Sequence, residues 1–119
     1  MPSQIHHFPA EIEALPNFDG PFDAHRLQAA GCEVLFATYP AGTTIEPHTH
    51  PTNNVGVITK GQLILTVDGQ VTRYGAGEWY HVPVGVEHAA RFDTDSAEIE
   101  FWFTQRDDAT SSGSLTVGA

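Results

Sequence analysis

The sequence predicts an all-β domain whose strands close into a barrel or a sandwich. Three observations predict it. Short runs rich in β-branched or aromatic residues recur along the chain, tight-turn signals separate them, and helical periodicity is thin. A length of 119 residues suits one domain, and 40% hydrophobic residues can fill an ordinary core. Eleven Gly and eight Pro supply many turns. Closing or doubling such a sheet removes edges that would recruit other chains.

Along the chain, residues 10–15 (AEIEAL) allow one or two helical turns before Pro16, too short to stand alone. Strand signals follow at 22–28, 33–39, 54–59, 62–67, 70–74, 78–82, 87–92 and 97–104. Asp68-Gly69, flanked by alternating apolar and polar residues, reads as a two-residue hairpin turn of the primed type, which needs positive φ. Gly75-Ala76-Gly77 and Pro83-Val84-Gly85 mark two further reversals. A single domain is expected over 1–106. The polar, turn-rich segment 107–119 (DDATSSGSLTVGA) reads as a loose tail.

Charge removes several functions. Fifteen acidic against five basic residues give a net charge of −10, a field that repels phosphate backbones, so no nucleic-acid partner is expected. Apolar runs fall far short of the roughly 20 residues of a membrane helix, and the start lacks the pattern of a secretory signal. The single cysteine, Cys32, excludes an internal disulfide framework. A cytoplasmic location is expected.

Histidines carry the chemistry. In Glu46-Pro47-His48-Thr49-His50, an extended backbone would put His48 and His50 on one face, roughly 6–7 Å apart at Cα. Two imidazoles at that spacing can converge on one ion. An isolated H-x-H is weak evidence. Its surroundings add to it: the run over 42–61 reads G-TTIEP-H-T-H-PTN-N-VGVITK-G, and that over 77–92 reads G-EWYHV-P-V-G-VE-H-AAR-F.

Together these resemble the two motifs of the cupin superfamily, G-x5-H-x-H-x(3,4)-E-x6-G and G-x5-P-x-G-x2-H-x3-N. The resemblance implies a single-domain β-barrel of the double-stranded β-helix, or jelly-roll, type. It also implies a divalent transition metal held by His48, His50 and His88. Two positions depart from the pattern: Asn54 stands where the family has its ligating Glu, and Phe92 where the second motif ends in Asn. A neutral amide oxygen is a poor transition-metal ligand beside imidazole, which suits Asn54 to a hydrogen-bonding role behind the ligands or a weak contact. The metal would then keep nearly its full double charge, and a small anion chelating through two oxygens is the natural guest.

Such a site is similar to those of three-histidine cupin dioxygenases. The resemblance points to an iron(II) oxidoreductase cleaving a small, chelating, enolisable substrate, with zinc, nickel and manganese as other candidate ions. Lewis-acid isomerisation, hydration or lyase chemistry is the alternative, followed by a non-enzymatic metal or small-ligand binding module.

Strand parity extends the site. Glu46 would share a face with His48 and His50, either as a further ligand or catalytic base or as a plain rim acid. Gly56 and Ile58 would follow Asn54 inward, and Ala90 and Phe92 would follow His88, all four lining the pocket. His81 reads as a wall histidine. The last strand alternates Glu98, Glu100 and Trp102 with Ile99, Phe101 and Phe103, and either face can point inward. An outward apolar face would make a subunit interface, and a homodimer is expected.

Overall fold

The computed structural model describes residues 8–20 and 22–103. A four-residue helix, α1 (Ala10–Glu13), precedes nine strands. These are β1 (Asp23–Ala29), β2 (Cys32–Tyr39), β3 (Thr43–His48), β4 (Asn53–Lys60), β5 (Gln62–Val67), β6 (Gln70–Gly75), β7 (Trp79–Val82), β8 (His88–Phe92) and β9 (Ser96–Phe103). The strand at β3 is the one the composition hides, because Pro47 lacks a ladder N–H and reads as a strand breaker. The tail expected over 107–119 lies outside the described residues.

The strands form two facing antiparallel sheets, one ordered β1-β2-β9-β4-β7 and the other β3-β8-β5-β6. From β2 onward the chain passes repeatedly between them, which is the double-stranded β-helix arrangement. Where it stays in one sheet it uses tight hairpins. Asp68 and Gly69 join β5 to β6 with φ of 54° and 76°, the two positive angles that a primed turn needs.

The core lies between the sheets. Leu35, Ala37 and Tyr39 of β2 enter from one side, with Ile58 of β4, Tyr80 and Val82 of β7 and Trp102 of β9. Leu63 and Leu65 of β5 and Phe92 of β8 meet them from the other. Tyr39 stacks on Phe92 with ring centroids 4.2 Å apart and planes 6° from parallel. Each such buried apolar side chain contributes about 1.5–3 kcal/mol.

Strand β9 settles its facing against the usual rule. Glu98, Glu100 and Trp102 point into the barrel, while Ile99, Phe101 and Phe103 point out. Register explains it: Glu100 lies opposite Leu35 on β2 and Gly56 on β4, both inward positions. The outward apolar residues pair with Val34 and Phe36 of β2 and with Val55 and Val57 of β4, so this sheet is apolar outside as well. At the β1–β2 end of that outer face, Phe8 packs edge-on against Phe36. His25 holds the N-terminal segment there through Glu13 and the Leu15 carbonyl.

Candidate metal centre

The site begins with a bulge. Ile45 of β3 pairs with Ala90 of β8, and His48 pairs with His88, so three steps along β3 span two along β8. The extra residue lets both Ile45 and His48 face inward, with Glu46 and Pro47 exposed between them. Simple alternation therefore fails for Glu46. Its carboxylate is in solvent, and its backbone carbonyl is what serves the site. His50 lies beyond the end of β3, buried, in a segment tied to the second motif: the Gly85 N–H donates to the His50 carbonyl at 2.9 Å. Next to it, the Val84 N–H donates to Asn53 Oδ1 at 3.1 Å. The turn at 83–85 thus clamps the loop that carries His50.

The three imidazoles meet. His48 Nε2 and His50 Nε2 are 2.8 Å apart, and one ligating atom from each of His48, His50 and His88 lies within 4.8 Å of the others. Tetrahedral or octahedral binding at about 2.0–2.1 Å per bond asks for nitrogens roughly 3–3.4 Å apart. Small ring movements reach that spacing. Nδ1 of His48 donates to the Glu46 carbonyl at 2.7 Å, and Nδ1 of His88 to the Val86 carbonyl at 3.0 Å. Those bonds fix the tautomer and leave each Nε2 lone pair for an ion. Burial pushes the His88 imidazole below its ordinary pKa; the Val86 carbonyl works against this and neighbouring His48 adds to it. The result favours the neutral ring that coordination requires. This donor set fits a divalent transition metal.

Asn54 points into the barrel from β4, across from Trp102 on β9 and Val82 on β7, and its Nδ2 donates to the Phe101 carbonyl at 3.4 Å. Of the four other residues expected to line the pocket, Ile58 and Phe92 are enclosed in the core cluster. Gly56 lies beneath the Tyr80 ring, and half-buried Ala90 packs against the core beside His88. The open space lies elsewhere. A cavity of about 570 Å³ sits where the sheets part between β6 and β7, lined by Val67, Asp68, Gln70, Thr72, Tyr74 and, at its rim, His81. Val67 is the cross-strand partner of His88, which sets one wall of the cavity next to that residue, although none of the three clustered histidines lines it.

A second polar group inside the barrel is larger than the sequence suggested. Glu100 accepts from the Tyr39 hydroxyl at 2.5 Å and from Trp102 Nε1 at 3.0 Å. The Trp102 ring in turn meets His50 edge-on, centroids 4.5 Å apart. Burial first, then the Glu100 charge beside it, pushes the Glu98 carboxyl well above its ordinary pKa; the Tyr80 and Tyr39 hydroxyls oppose this. Burial and the two carboxylates also raise both tyrosines. Glu33, a third inward acid, pairs with Arg26. What the sequence offered toward this group was the alternation of β9 itself, ambiguous until its neighbours' outer faces are known.

Fold and histidine cluster together define a β-barrel of the jelly-roll type whose three-imidazole donor set suits a metal ion. Residues 35–104 match the cupin domain family model, and the chain belongs to that family. Over 69 residues it is 39% identical to H2HPP isomerase of Bacillus subtilis, a match covering 56% of this chain and 29% of that protein. Over 67 residues it is 34% identical to the HTH-type transcriptional regulator PuuR of Escherichia coli, covering 56% of this chain and 35% of the regulator. The chain thus spans about a third of these relatives. Among solved structures, an RmlC-like cupin from Shewanella frigidimarina superposes with a TM-score of 0.70 at 24% identity, over 88% of this chain and 96% of that one. KdgF from a Halomonas species gives 0.64 at 20% identity, over 73% and 82%. These likenesses establish the fold. No helix among the described residues is long and apolar enough to cross a membrane.

Proposed function

We propose that this cupin is a metal-dependent enzyme that enolises a small carbonyl substrate chelating through two oxygens, with isomerisation as the outcome. One observation carries the reading: three imidazoles converge and, among the described residues, no carboxylate joins them, so a divalent ion there keeps its charge. When bound, such an ion supplies Lewis acidity, stabilising negative charge on a chelating oxygen. The chain's own residues do the rest. The Glu46 and Val86 carbonyls keep the His48 and His88 rings aimed inward. Gln70, Thr72 and Tyr74 offer amide and hydroxyl groups to the substrate's remaining oxygens. His81, at the rim of the same cavity, carries an imidazole that takes up and returns the proton. Identity with an isomerase over the matched segment supports this outcome. One ion per chain is expected, iron(II) first, with zinc, nickel and manganese suited to the same donors. The lone free thiol of Cys32 accords with a reducing compartment, and we assign the protein to the cytoplasm.

The test is deuterium exchange. Protein loaded anaerobically with each ion is mixed with a panel of 2-oxo acids and 1,3-dicarbonyls in D2O. Exchange at the α-carbon, lost in His48→Ala, is expected; no exchange with any member would end the enolisation reading. Oxygen-dependent cleavage is a second reading, favoured by Asn54 in place of a ligating carboxylate. It predicts one O2 consumed per substrate and no anaerobic product.

We also propose a homodimer through the outer face of the five-stranded sheet. Trp79, Val57 and Ile99 form a cross-strand row there, beside Val55 and Phe101, clear of the Phe36 and His25 end that the N-terminal segment covers. Neither row holds an acidic or basic side chain (histidine aside), although the chain carries a net charge of −10. A like-charged second copy therefore meets least repulsion on this face. Light scattering should give twice the chain mass, with Phe101→Glu reverting to monomer; a monomeric wild type would refute it.

A further inference from the structure

We propose that Glu100 is a positioning residue for the metal ligand His50, acting through Trp102; this rests on the reading that the three histidines hold a divalent ion. Glu100 and Trp102 occupy successive inward positions of β9 and are both fully enclosed. The indole N–H donates to Glu100 Oε1, while Oε2 takes the Tyr39 hydroxyl. Both carboxylate oxygens are therefore engaged from opposite sides, and neither the carboxylate nor the indole is free to turn.

The same indole ring reaches the site, its centroid 4.5 Å from that of His50. It packs edge-on against the His50 imidazole at an interplanar angle of 77°. His50 lies outside the strand ladder, between β3 and β4, so strand geometry does not set the direction of its ring. The Gly85 N–H holds its backbone, and the Trp102 face limits how its imidazole can rotate. The ordered path runs from the Glu100 carboxylate through the Trp102 indole to the His50 ring, and the indole bond to Oε1 is the link it depends on. Partners standing behind metal ligands typically change affinity by 10–100-fold when removed.

Cobalt(II) titration of the full chain tests this, read by its visible absorption band and by dissociation constant. Trp102→Phe keeps an aromatic ring against His50 but removes the N–H. It should weaken cobalt binding about tenfold and shift the band, with far-UV circular dichroism unchanged. Glu100→Gln, a neutral acceptor of the same shape, should weaken binding less in the same direction, and should add nothing in the Trp102→Phe background. Tyr39→Phe leaves the indole bond in place and should lower stability without moving the dissociation constant. Wild-type affinity in Trp102→Phe, or an equal Glu100→Gln effect in both backgrounds, would overturn the proposal. If Trp102→Phe does not fold, unchanged affinity in Glu100→Gln overturns it alone. A wild type that takes up no cobalt overturns the metal reading and this proposal with it; variants that match a cobalt-binding wild type overturn only this one.

Discussion

Glu98 and Glu100 stand two residues apart on the inward face of β9, both fully enclosed, and the ion pairs among the described residues reach neither. Two adjacent buried carboxylates cannot both ionise without severe cost. The groups around Glu98 are Glu100, Tyr39 and Tyr80, none of them a cation, and Oε1 of Glu98 is a buried atom with no hydrogen-bond partner. Glu98 therefore stays protonated in the folded chain at pH values where the unfolded chain has lost that proton. For an acid raised in this way, stability is full below the unfolded pKa, about 4.3 for Glu, and falls as pH climbs toward the folded value. One such proton contributes a slope of up to about 1.4 kcal/mol per pH unit. Urea melts at pH 5 and pH 8 should show Glu98→Gln gaining on wild type at the higher pH. A constant difference between the two would contradict a buried proton.

His48 and His88 face each other across β3 and β8, with ring centroids 4.3 Å apart. Because two strands and one loop supply the three rings, removal of any one leaves two neutral nitrogens and a shell too small to hold a transition ion firmly. His48→Ala, His50→Ala and His88→Ala should each lose most of the metal measured by elemental analysis. The barrel should persist by circular dichroism, because the core lies elsewhere. Full metal content in any of the three would remove that residue from the ligand set.

His48 and His50 were legible as a pair from their H-x-H spacing, and His88 only through the resemblance of the two runs to the cupin motifs. The Asp68-Gly69 hairpin was legible because its two positive φ angles demand particular residues. Glu46 was not. A bulge adds one residue to β3 without any compositional mark, and it reverses the parity on which an inward Glu46 depended. Nor could the facing of β9 be read from β9. Ile99, Phe101 and Phe103 look like a core face, and they turn outward because Val34, Phe36, Val55 and Val57 extend the same apolar surface. The cavity between β6 and β7 exists only through the packing of two sheets, so neither strand announces it.

Asn54 lies opposite Trp102, whose ring contacts His50. Glutamate there would place a negative charge within the same enclosed layer. Asn54→Glu should slow metal loss to a chelator, because the charge favours a divalent ion, and should weaken binding of anionic ligands such as oxalate. Competition by chelator and calorimetry with oxalate measure the two effects. Tighter oxalate binding in the variant would contradict the charge argument.

Gly56 and Tyr80 are cross-strand partners on β4 and β7, and the tyrosine ring lies directly over the glycine. A Cβ built at Gly56 would stand 2.4 Å from Cε2, Cζ and Oη of Tyr80, too close for any real contact. Tyr80 is itself buried, packed against the core cluster with its ring centroid 6.0 Å from that of Tyr74. Gly56→Ala therefore forces the ring aside within a packed core. Overpacking of this kind costs about 1–3 kcal/mol. Thermal melts of Gly56→Ala should show that loss, and Gly56→Ala/Tyr80→Leu should recover part of it by removing the ring. No destabilisation in the single variant, or no recovery in the double, would show that the ring does not depend on a bare backbone beneath it.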